Sequence, residues 1–172
     1  MSNASVEQLF AEPGLEWRPV SPKLLVERRL PMIGLAGFGL LLMFGGRLAG
    51  WEAVGPGVLL SVLGVVALAA AVVGWVVVVP RVVRSWRYAE REQDLLVSRG
   101  RLLRRLTVVP YGRMQVIEVS ANPISARLGI STVTLVTASA STDASIPGVP
   151  VEVAHALRDR LAAKGEAMTA GL

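Results

Sequence analysis

The sequence predicts a membrane α + β protein in which a two-helix transmembrane hairpin is followed by an antiparallel β domain closed by a C-terminal α-helix. Three observations predict this class. Two long apolar segments lie in the first half of the chain. Short β-type runs separated by turn residues follow residue 86, and an amphipathic helical pattern lies near the C-terminus.

Residues 1–30 are expected to form a cytoplasmic N-terminal segment. Four glutamates interrupt this segment, and it lacks the apolar core and small-residue cleavage site of a signal peptide. The transmembrane helices are predicted at about 31–51 and about 54–79, and the second range contains no charged residue. Both ranges are long enough, because a hydrocarbon core of about 30 Å needs about 20 helical residues.

Cationic residues flank the outer ends of the two spans. They are Lys23, Arg28 and Arg29 before the first span, and Arg81, Arg84, Arg87 and Arg91 after the second. The positive-inside rule then predicts that both termini face the cytoplasm at a bacterial inner membrane, with an extracytoplasmic turn at Trp51–Gly55. Small residues recur along both spans, which allows close packing within the hairpin or against a second copy or a partner membrane protein.

Arginines dominate the segment that follows the second span. Residues 81–118 contain nine arginines and four acidic residues. Because Arg81, Arg84, Arg87 and Arg91 are spaced by three or four, a helical extension of the second span would align them on one stripe. The stripe is interpreted as a topology determinant, and contact with the membrane surface or recognition of a particular lipid are the alternatives.

The cytoplasmic domain is predicted over residues 81–165, with a flexible tail at 166–172. Strands Asp94–Ser98 and Arg101–Val109 are expected to flank a two-residue turn at Arg99-Gly100. The later elements are strand Arg113–Ser120, a helical turn Ile124–Leu128 stopped by Gly129, strand Ile130–Ala138, and a final strand that ends at Ser145-Ile146 before Pro147-Gly148.

The last predicted element is a helix with Pro150 in its first turn and Gly165 just past its end. Its apolar face is expected to consist of Val153, Ala154, Leu157 and Leu161. An antiparallel sheet of five or more strands needs such a helix, because the helix covers the apolar face of the sheet.

The composition limits the classes of function. The chain has 172 residues, 52% of them hydrophobic, no cysteine and one histidine, so disulfides, thiol nucleophiles, cysteine-ligated metals and histidine triads are excluded. No phosphate-binding glycine motif follows a strand, and no serine lies in a strand-to-helix elbow. We therefore expect a protein that is not an enzyme and has no cofactor or metal.

An ordered series of short motifs runs through the predicted β domain. It comprises Val109-Pro110-x-x-Arg113-x-Gln115, Pro123-x-x-x-Arg127-x-Gly129 and Ile146-Pro147-Gly148, with Tyr88, Leu95-x-Val97, Gly100, Val119, Val133 and Thr137-Ala138 between or before them. Together with the two preceding spans, this series resembles the membrane-anchored bacterial PH-domain family (YdbS-like). The resemblance covers residues 86–164 and the hairpin ahead of them. It implies a PH-like, partly open antiparallel β-barrel of about seven strands, capped by the C-terminal helix, and it implies no catalysis.

Five polar residues of the domain are candidates for contact with a partner or an anion. They are Arg104, Arg105, Arg113, Gln115 and Arg127. Arg113 and Gln115 share one face of a predicted strand, whereas Arg104 and Arg105 are adjacent and so point to opposite faces. A purely structural role for Arg113 is the alternative.

Two hypotheses for the function follow. In the first, the PH-like domain is a protein-interaction module in a membrane complex with another PH-domain membrane protein or with a second copy of this chain. In the second, it binds anionic phospholipid headgroups at the inner leaflet. Membrane lipids are expected partners in either case. Nucleic acid is not, because the arginines cluster where membrane topology already requires them.

Overall fold

The computed structural model describes residues 15–48, 55–100, 104–138 and 142–170. The predicted extracytoplasmic turn up to residue 54, the start of the predicted strand at Arg101 and the last two residues of the chain lie outside these ranges. The chain divides into two compact units. One unit is Leu25–Arg81, and the other combines the segment up to Leu24 with the chain from Val82 onward.

The Leu25–Arg81 unit consists of long apolar helices. Helix α1 (Leu24–Leu48) is followed by α2 (Gly55–Val73), which continues through a π-helical segment (Gly74–Val78) into α3 (Val79–Arg84). Among the described residues, the helical run Gly57–Arg84 is long and apolar enough to cross a membrane. The first predicted span, about 31–51, overlaps α1, which begins before Pro31 and contains it.

Two glycines bring α1 and α2 into backbone contact. A Cβ atom at Gly39 would lie 2.9 Å from the Gly64 carbonyl oxygen, and one at Gly64 would lie 2.6 Å from the Gly39 carbonyl oxygen. Only glycine allows so close an approach, as in small-residue contacts between membrane helices. These small residues therefore pack the two helices against each other.

Seven described strands form two antiparallel sheets. Sheet A has the order β1 (Arg18–Pro19), β2 (Arg87–Glu90), β3 (Asp94–Arg99), β4 (Arg105–Pro110), and sheet B has the order β5 (Met114–Ser120), β6 (Ile130–Thr137), β7 (Ala144–Pro150). Among the described strands, no ladder joins sheet A to sheet B. A short 3₁₀ turn (Tyr111–Arg113) connects β4 to β5.

Local capping explains the connection between β5 and β6. Helix α4 (Pro123–Leu128) starts after Asn122, whose side chain accepts hydrogen bonds from the N–H groups of Ile124 at 2.9 Å and Ser125 at 2.8 Å. It ends at Gly129, which has φ of +68°. The structure confirms the predicted helical turn and its glycine stop.

Helix α5 (Val151–Ala170) closes the domain. Ala154, Leu157 and Leu161 are fully buried, as the sequence predicts, whereas Val153 is exposed. The helix continues past Gly165, where its end was predicted, and the first residues of the predicted tail are helical. Gly165 lies against the 3₁₀ turn, where a Cβ atom would be 3.5 Å from the Tyr111 carbonyl oxygen, an ordinary van der Waals distance.

The predicted two-residue turn at Arg99-Gly100 is wrong. Arg99 pairs with Arg105, so the connection between β3 and β4 is longer. The observed register sets Leu95 opposite Val109, and both side chains are fully buried. A two-residue turn would have set Arg104 opposite Leu95 and brought a charge to the core, which costs far more than a longer loop.

Strand β7 is also longer than predicted. It continues through Pro147-Gly148 to Pro150, because Gly148 adopts φ of +71° and Val149 returns to the core. The Gly148 carbonyl oxygen accepts a hydrogen bond from the Ser21 N–H at 2.8 Å.

Residues 18–24 are part of the β domain. Arg18 pairs with Tyr88 in sheet A, while the buried Leu24 side chain packs on Gly148 in sheet B. Residues 18–24, which we call the N-terminal clip, therefore touch both sheets. The sequence predicted a cytoplasmic segment here but no strand.

Candidate functional site

The candidate site is an open groove between strand β5 and helix α5. Strand β5 is an edge strand: it pairs with β6, and no other described strand pairs with it. Edge strands present unpaired backbone N–H and C=O groups, which serve as a template for an added strand. Within the described ranges, the outer edge of β5 is therefore unpaired, and β5 also forms one wall of the groove.

The groove has a volume of about 460 Å³. Its lining residues are Met114, Gln115, Ile117, Arg158, Leu161, Ala162, Gly165 and Glu166. Five of the eight are apolar or glycine, while Gln115, Arg158 and Glu166 are polar or charged. A mainly apolar surface with few polar groups suits a peptide that docks alternate side chains.

Helical spacing explains the α5 wall of the groove. Its lining residues recur at intervals of three and four along the helix, so they share one face. Leu161 anchors this face, because its side chain is fully buried beside Leu157 in the core. Gly165 faces Met114 across the groove, since a Cβ atom there would lie 4.0 Å from the Met114 methyl carbon.

A β-bulge shapes the β5 wall. The register with β6 shifts between Met114 and Val116, which leaves Gln115 as the extra residue. Gln115 is exposed and lines the groove. Arg113 lies before the strand, in the 3₁₀ turn, so the predicted strand face shared by Arg113 and Gln115 does not form.

The other predicted contact residues lie apart from the groove. Arg127 is exposed in the last turn of α4. Arg104 and Arg105 are exposed at the start of β4, where Arg105 pairs with Arg99. Of the five predicted partner or anion contacts, the structure brings Gln115 alone into the groove.

The predicted arginine stripe does not form, because the helix ends at Arg84. Arg81 and Arg84 are exposed on α3, and the Arg81 guanidinium donates a hydrogen bond to the Val77 carbonyl oxygen at 3.4 Å. Arg87 is exposed at the start of β2. Arg91 is half-buried in the turn after β2, with its guanidinium 3.9 Å from Asp94.

A buried carboxylate organises a second polar cluster that the sequence pattern did not reveal. The Glu90 side chain is 15% exposed and accepts hydrogen bonds from the Arg160 guanidinium at 2.8 and 3.3 Å. Arg18 lies 3.8 Å and Lys164 3.9 Å from the same carboxylate. Glu90 thus joins the N-terminal clip, sheet A and helix α5.

The electrostatics of this Glu90 cluster favour the ionised carboxylate. Burial alone would raise the pKa of Glu90, but the hydrogen bond and charge of Arg160, with the charges of Lys164 and Arg18, lower its pKa below the usual value. The same interaction raises the pKa of Arg160. The cluster is therefore a structural ion network at neutral pH.

Tyr111 lies beside this cluster and next to Lys164 of helix α5. Burial, and then the negative charges of Glu90 and Asp94, raise the pKa of Tyr111 to about 12. Its hydroxyl group donates to the Arg91 carbonyl oxygen at 2.9 Å, and the Lys164 ammonium donates to the same oxygen at 3.0 Å. These contacts hold the 3₁₀ turn, and so the start of β5, against α5.

The described residues contain no metal-binding group. No three or more His, Asp or Glu side chains within the described ranges come together in a way that could hold a metal ion.

The β5–α5 groove is suited to binding a peptide. It combines a strand edge that no described strand pairs with, an apolar floor and a few polar side chains.

Comparison with known proteins gives the family. A family model described as Bacterial PH domain matches residues 37–165. The UPF0699 transmembrane protein YdbS of Bacillus subtilis (strain 168) is 32% identical over 102 residues, which are 59% of this chain and 62% of that protein. This chain thus spans less than two thirds of the length of that relative. No solved structure matches this chain significantly. The resemblance found in the motifs is confirmed, and the chain belongs to the bacterial PH-domain family.

Proposed function

We propose that this chain is a non-enzymatic integral membrane protein whose cytoplasmic PH-like domain binds an extended segment of a partner protein in the β5–α5 groove. In this account, α1 and the Gly57–Arg84 run form a two-helix transmembrane hairpin. Sheets A and B, capped by α5, form the partly open PH-like barrel. The observation that carries the binding role is the groove itself, which combines a free strand edge with an apolar floor.

The N-terminal clip supports an even number of membrane crossings. The clip precedes the apolar helices and β2 follows them, yet Arg18 pairs with Tyr88. Two strands of one sheet lie in the same compartment. The cationic residues that flank both outer ends of the helices support a cytoplasmic location for that sheet.

Strand addition gives the expected mode of binding. An added segment would extend sheet B at β5, with main-chain hydrogen bonds giving affinity and alternate side chains entering the groove. The partner we propose is a second membrane protein, either another PH-domain membrane protein or a second copy of this chain. A membrane-anchored partner is favoured because both proteins then meet in two dimensions at high effective concentration.

Site-specific photocrosslinking in native membranes tests the proposal. A photoreactive amino acid at Gln115 is expected to form a covalent adduct with a specific membrane protein, identified by mass spectrometry. Ala162→Trp fills the apolar floor and is expected to abolish that adduct. Ala163→Trp is the matched control, because Ala163 is exposed on the same helix and does not line the groove.

An adduct that survives Ala162→Trp, or one that both tryptophan variants remove equally, would contradict binding in the groove. Absence of any protein adduct at Gln115 would contradict the interaction role itself. An adduct between two copies of this chain would support the proposal with self-association as the interaction.

A further inference from the structure

The face of α5 that lines the β5–α5 groove carries opposite charges at equal distances from its centre. Arg158 and Glu166 both line the groove, and Ala162 lies midway between them. Intervals of four residues place the three on one face of the helix, with about 6 Å of rise on either side of Ala162. Ala162 and Glu166 are exposed, and the Arg158 side chain is 43% exposed. This face is therefore positive at one end and negative at the other, with a small side chain between.

Such a face is complementary to itself. A two-fold axis reverses the direction of the helix in a second copy, so an axis at the level of Ala162 sets Arg158 opposite the partner's Glu166. Two ion pairs then form by symmetry. The Arg158 guanidinium already donates to Asp159 at 2.8 and 2.9 Å, but a guanidinium has five N–H donors and can bind a second carboxylate.

Strand β5 meets the same symmetry requirement at its outer edge. No described strand pairs with this edge, and the Val116 side chain is 55% exposed. When two copies of β5 pair in antiparallel fashion about Val116, this residue lies opposite the partner's Val116, and Met114 lies opposite the partner's Glu118. Cross-strand pairs of β-branched residues are favourable, and this register sets no like charges opposite each other.

The centres of these two patterns lie near the same level of the groove. A Cβ atom at Gly165 would lie 4.0 Å from the Met114 methyl carbon. One at Gly112 would lie 3.7 Å from Met168, farther along the helix, so α5 and β5 run in opposite directions. Measured from the first contact, the centre on the helix is about 4.5 Å away and the centre on the strand about 7 Å, in the same direction. One two-fold axis therefore serves both patterns.

We propose that the occupant of the β5–α5 groove is a second copy of this chain, joined about a two-fold axis by antiparallel pairing of the two β5 strands. This inference rests on the proposed binding role of the groove and names its partner. Each copy adds the described strands of sheet B to one continuous sheet. The two α5 helices run antiparallel on the same face of that sheet, and each copy closes the groove of the other.

Disulfide crosslinking of the full chain in isolated membranes tests the strand pair. The chain has no cysteine, so Val116→Cys introduces its only thiol. Opposed residues of antiparallel strands have Cα atoms about 4.5–5.5 Å apart, within the range of a disulfide, so a mild oxidant should produce a covalent dimer. Ser120→Cys is the matched control on the same strand, also exposed. Its symmetry mate would lie about 27 Å away, so this variant should not form the dimer.

Exchange of the two charges on α5 distinguishes a second copy from a different partner. Arg158→Glu and Glu166→Arg each set like charges opposite each other twice, and each should weaken association of the detergent-solubilised full chain about tenfold. Analytical ultracentrifugation measures this association. The double variant restores both pairs and should associate as the wild type does. A partner of different sequence cannot give this rescue, because it does not carry the exchanged charges.

The outcomes separate the identity of the partner from the binding role. A photoadduct of Gln115 with a different protein, together with no covalent dimer of Val116→Cys, overturns the second copy and leaves binding in the groove intact. Equal dimer yields from Val116→Cys and Ser120→Cys also overturn the second copy, as does a double variant that associates no better than the single variants. Absence of any protein adduct at Gln115 contradicts the proposed function and this inference with it.

Discussion

At the scale of single residues, glycine determines how closely the two apolar helices approach. Gly39 contacts the backbone of Gly64, whereas a Cβ atom at Gly37 would meet no atom within 4 Å, so Gly37 faces open space. The sequence showed that small residues recur here, but it could not tell which of them touch. The rotation of each helix, which selects Gly39 over Gly37, depends on packing between elements.

We expect Gly39→Leu to destabilise the helix pair. The new side chain would meet the Gly64 carbonyl oxygen, and overpacking of this kind costs about 1–3 kcal/mol. Thermal unfolding of the purified full chain in detergent measures the loss. Gly37→Leu is the control, and equal effects of the two substitutions would contradict the contact.

Glu90 gives the residue-scale prediction for pH. Glu90→Gln should lower the free energy of unfolding by about 1–2 kcal/mol at neutral pH. This value lies between those of an exposed ion pair and of a hydrogen bond to a charged group. Because the pKa of Glu90 is lowered in the folded state, its contribution is complete above the unfolded-state pKa of about 4.3 and is lost as the pH falls through the folded-state pKa.

The difference in stability between wild type and Glu90→Gln should therefore shrink as the pH falls from neutrality to about 3. Thermal unfolding at several pH values measures it. Glu118→Gln changes an exposed carboxylate on β5 and serves as control. A difference that stays constant with pH would show that Glu90 acts through packing and not through its charge.

The sequence predicted features that depend on neighbouring residues, but it did not predict contacts between residues that are far apart in the chain. Asn122-Pro123 and Gly129 specify the start and end of α4 within a few residues, so the short helix could be predicted. Glu90 and Arg160 are far apart in the chain and meet only after sheet A and α5 pack. Nothing in the neighbourhood of either residue marks that pairing.

At the scale of elements, the N-terminal clip is the main addition to the prediction. Leu24 is 2% exposed and packs on Gly148, while β1 adds an edge strand to sheet A. A two-residue strand has too little sequence to carry a periodic pattern. Its position is set by β2, which lies beyond both apolar helices in the chain.

We expect Leu24→Ala to destabilise the β domain by about 2–5 kcal/mol, the cost of truncating a fully buried leucine. The exchange of amides in β7 with deuterium should rise in the full-length variant, because Leu24 covers Gly148. Val26→Ala is the control, since Val26 is half exposed. Unchanged exchange in β7 after Leu24→Ala would contradict the clip.

Strand boundaries show where element prediction fails and why. Alternating burial in β6 matches its predicted range closely, because one face is buried along its whole length. The predicted connection between β3 and β4 was too short. An Arg-Gly pair is compatible with a two-residue turn and also with a longer loop, so the local sequence could not distinguish them. The core pairing of Leu95 with Val109, a tertiary constraint, decided the register.

At the scale of the whole molecule, composition and motifs gave the class of protein, and the structure gave the groove. The family resemblance rests on turn residues and short motifs that the sequence shows directly. The groove depends on an edge strand, a bulge at Gln115 and the face that α5 presents, and these come together only through packing. Gln115 was chosen from the motif and lines the groove, whereas Gly165 was predicted only as the end of the helix and Ala162 carried no signal of its own.

The central claim is that a two-helix hairpin holds the clip and the β domain together on the cytoplasmic side. The chain has no cysteine, so single cysteines at positions 16, 53 and 120 report membrane sidedness without background. With a membrane-impermeant maleimide on intact cells, we predict labelling at position 53 and none at 16 or 120 until the membrane is permeabilised. Labelling of position 16 or 120 in intact cells would contradict the account.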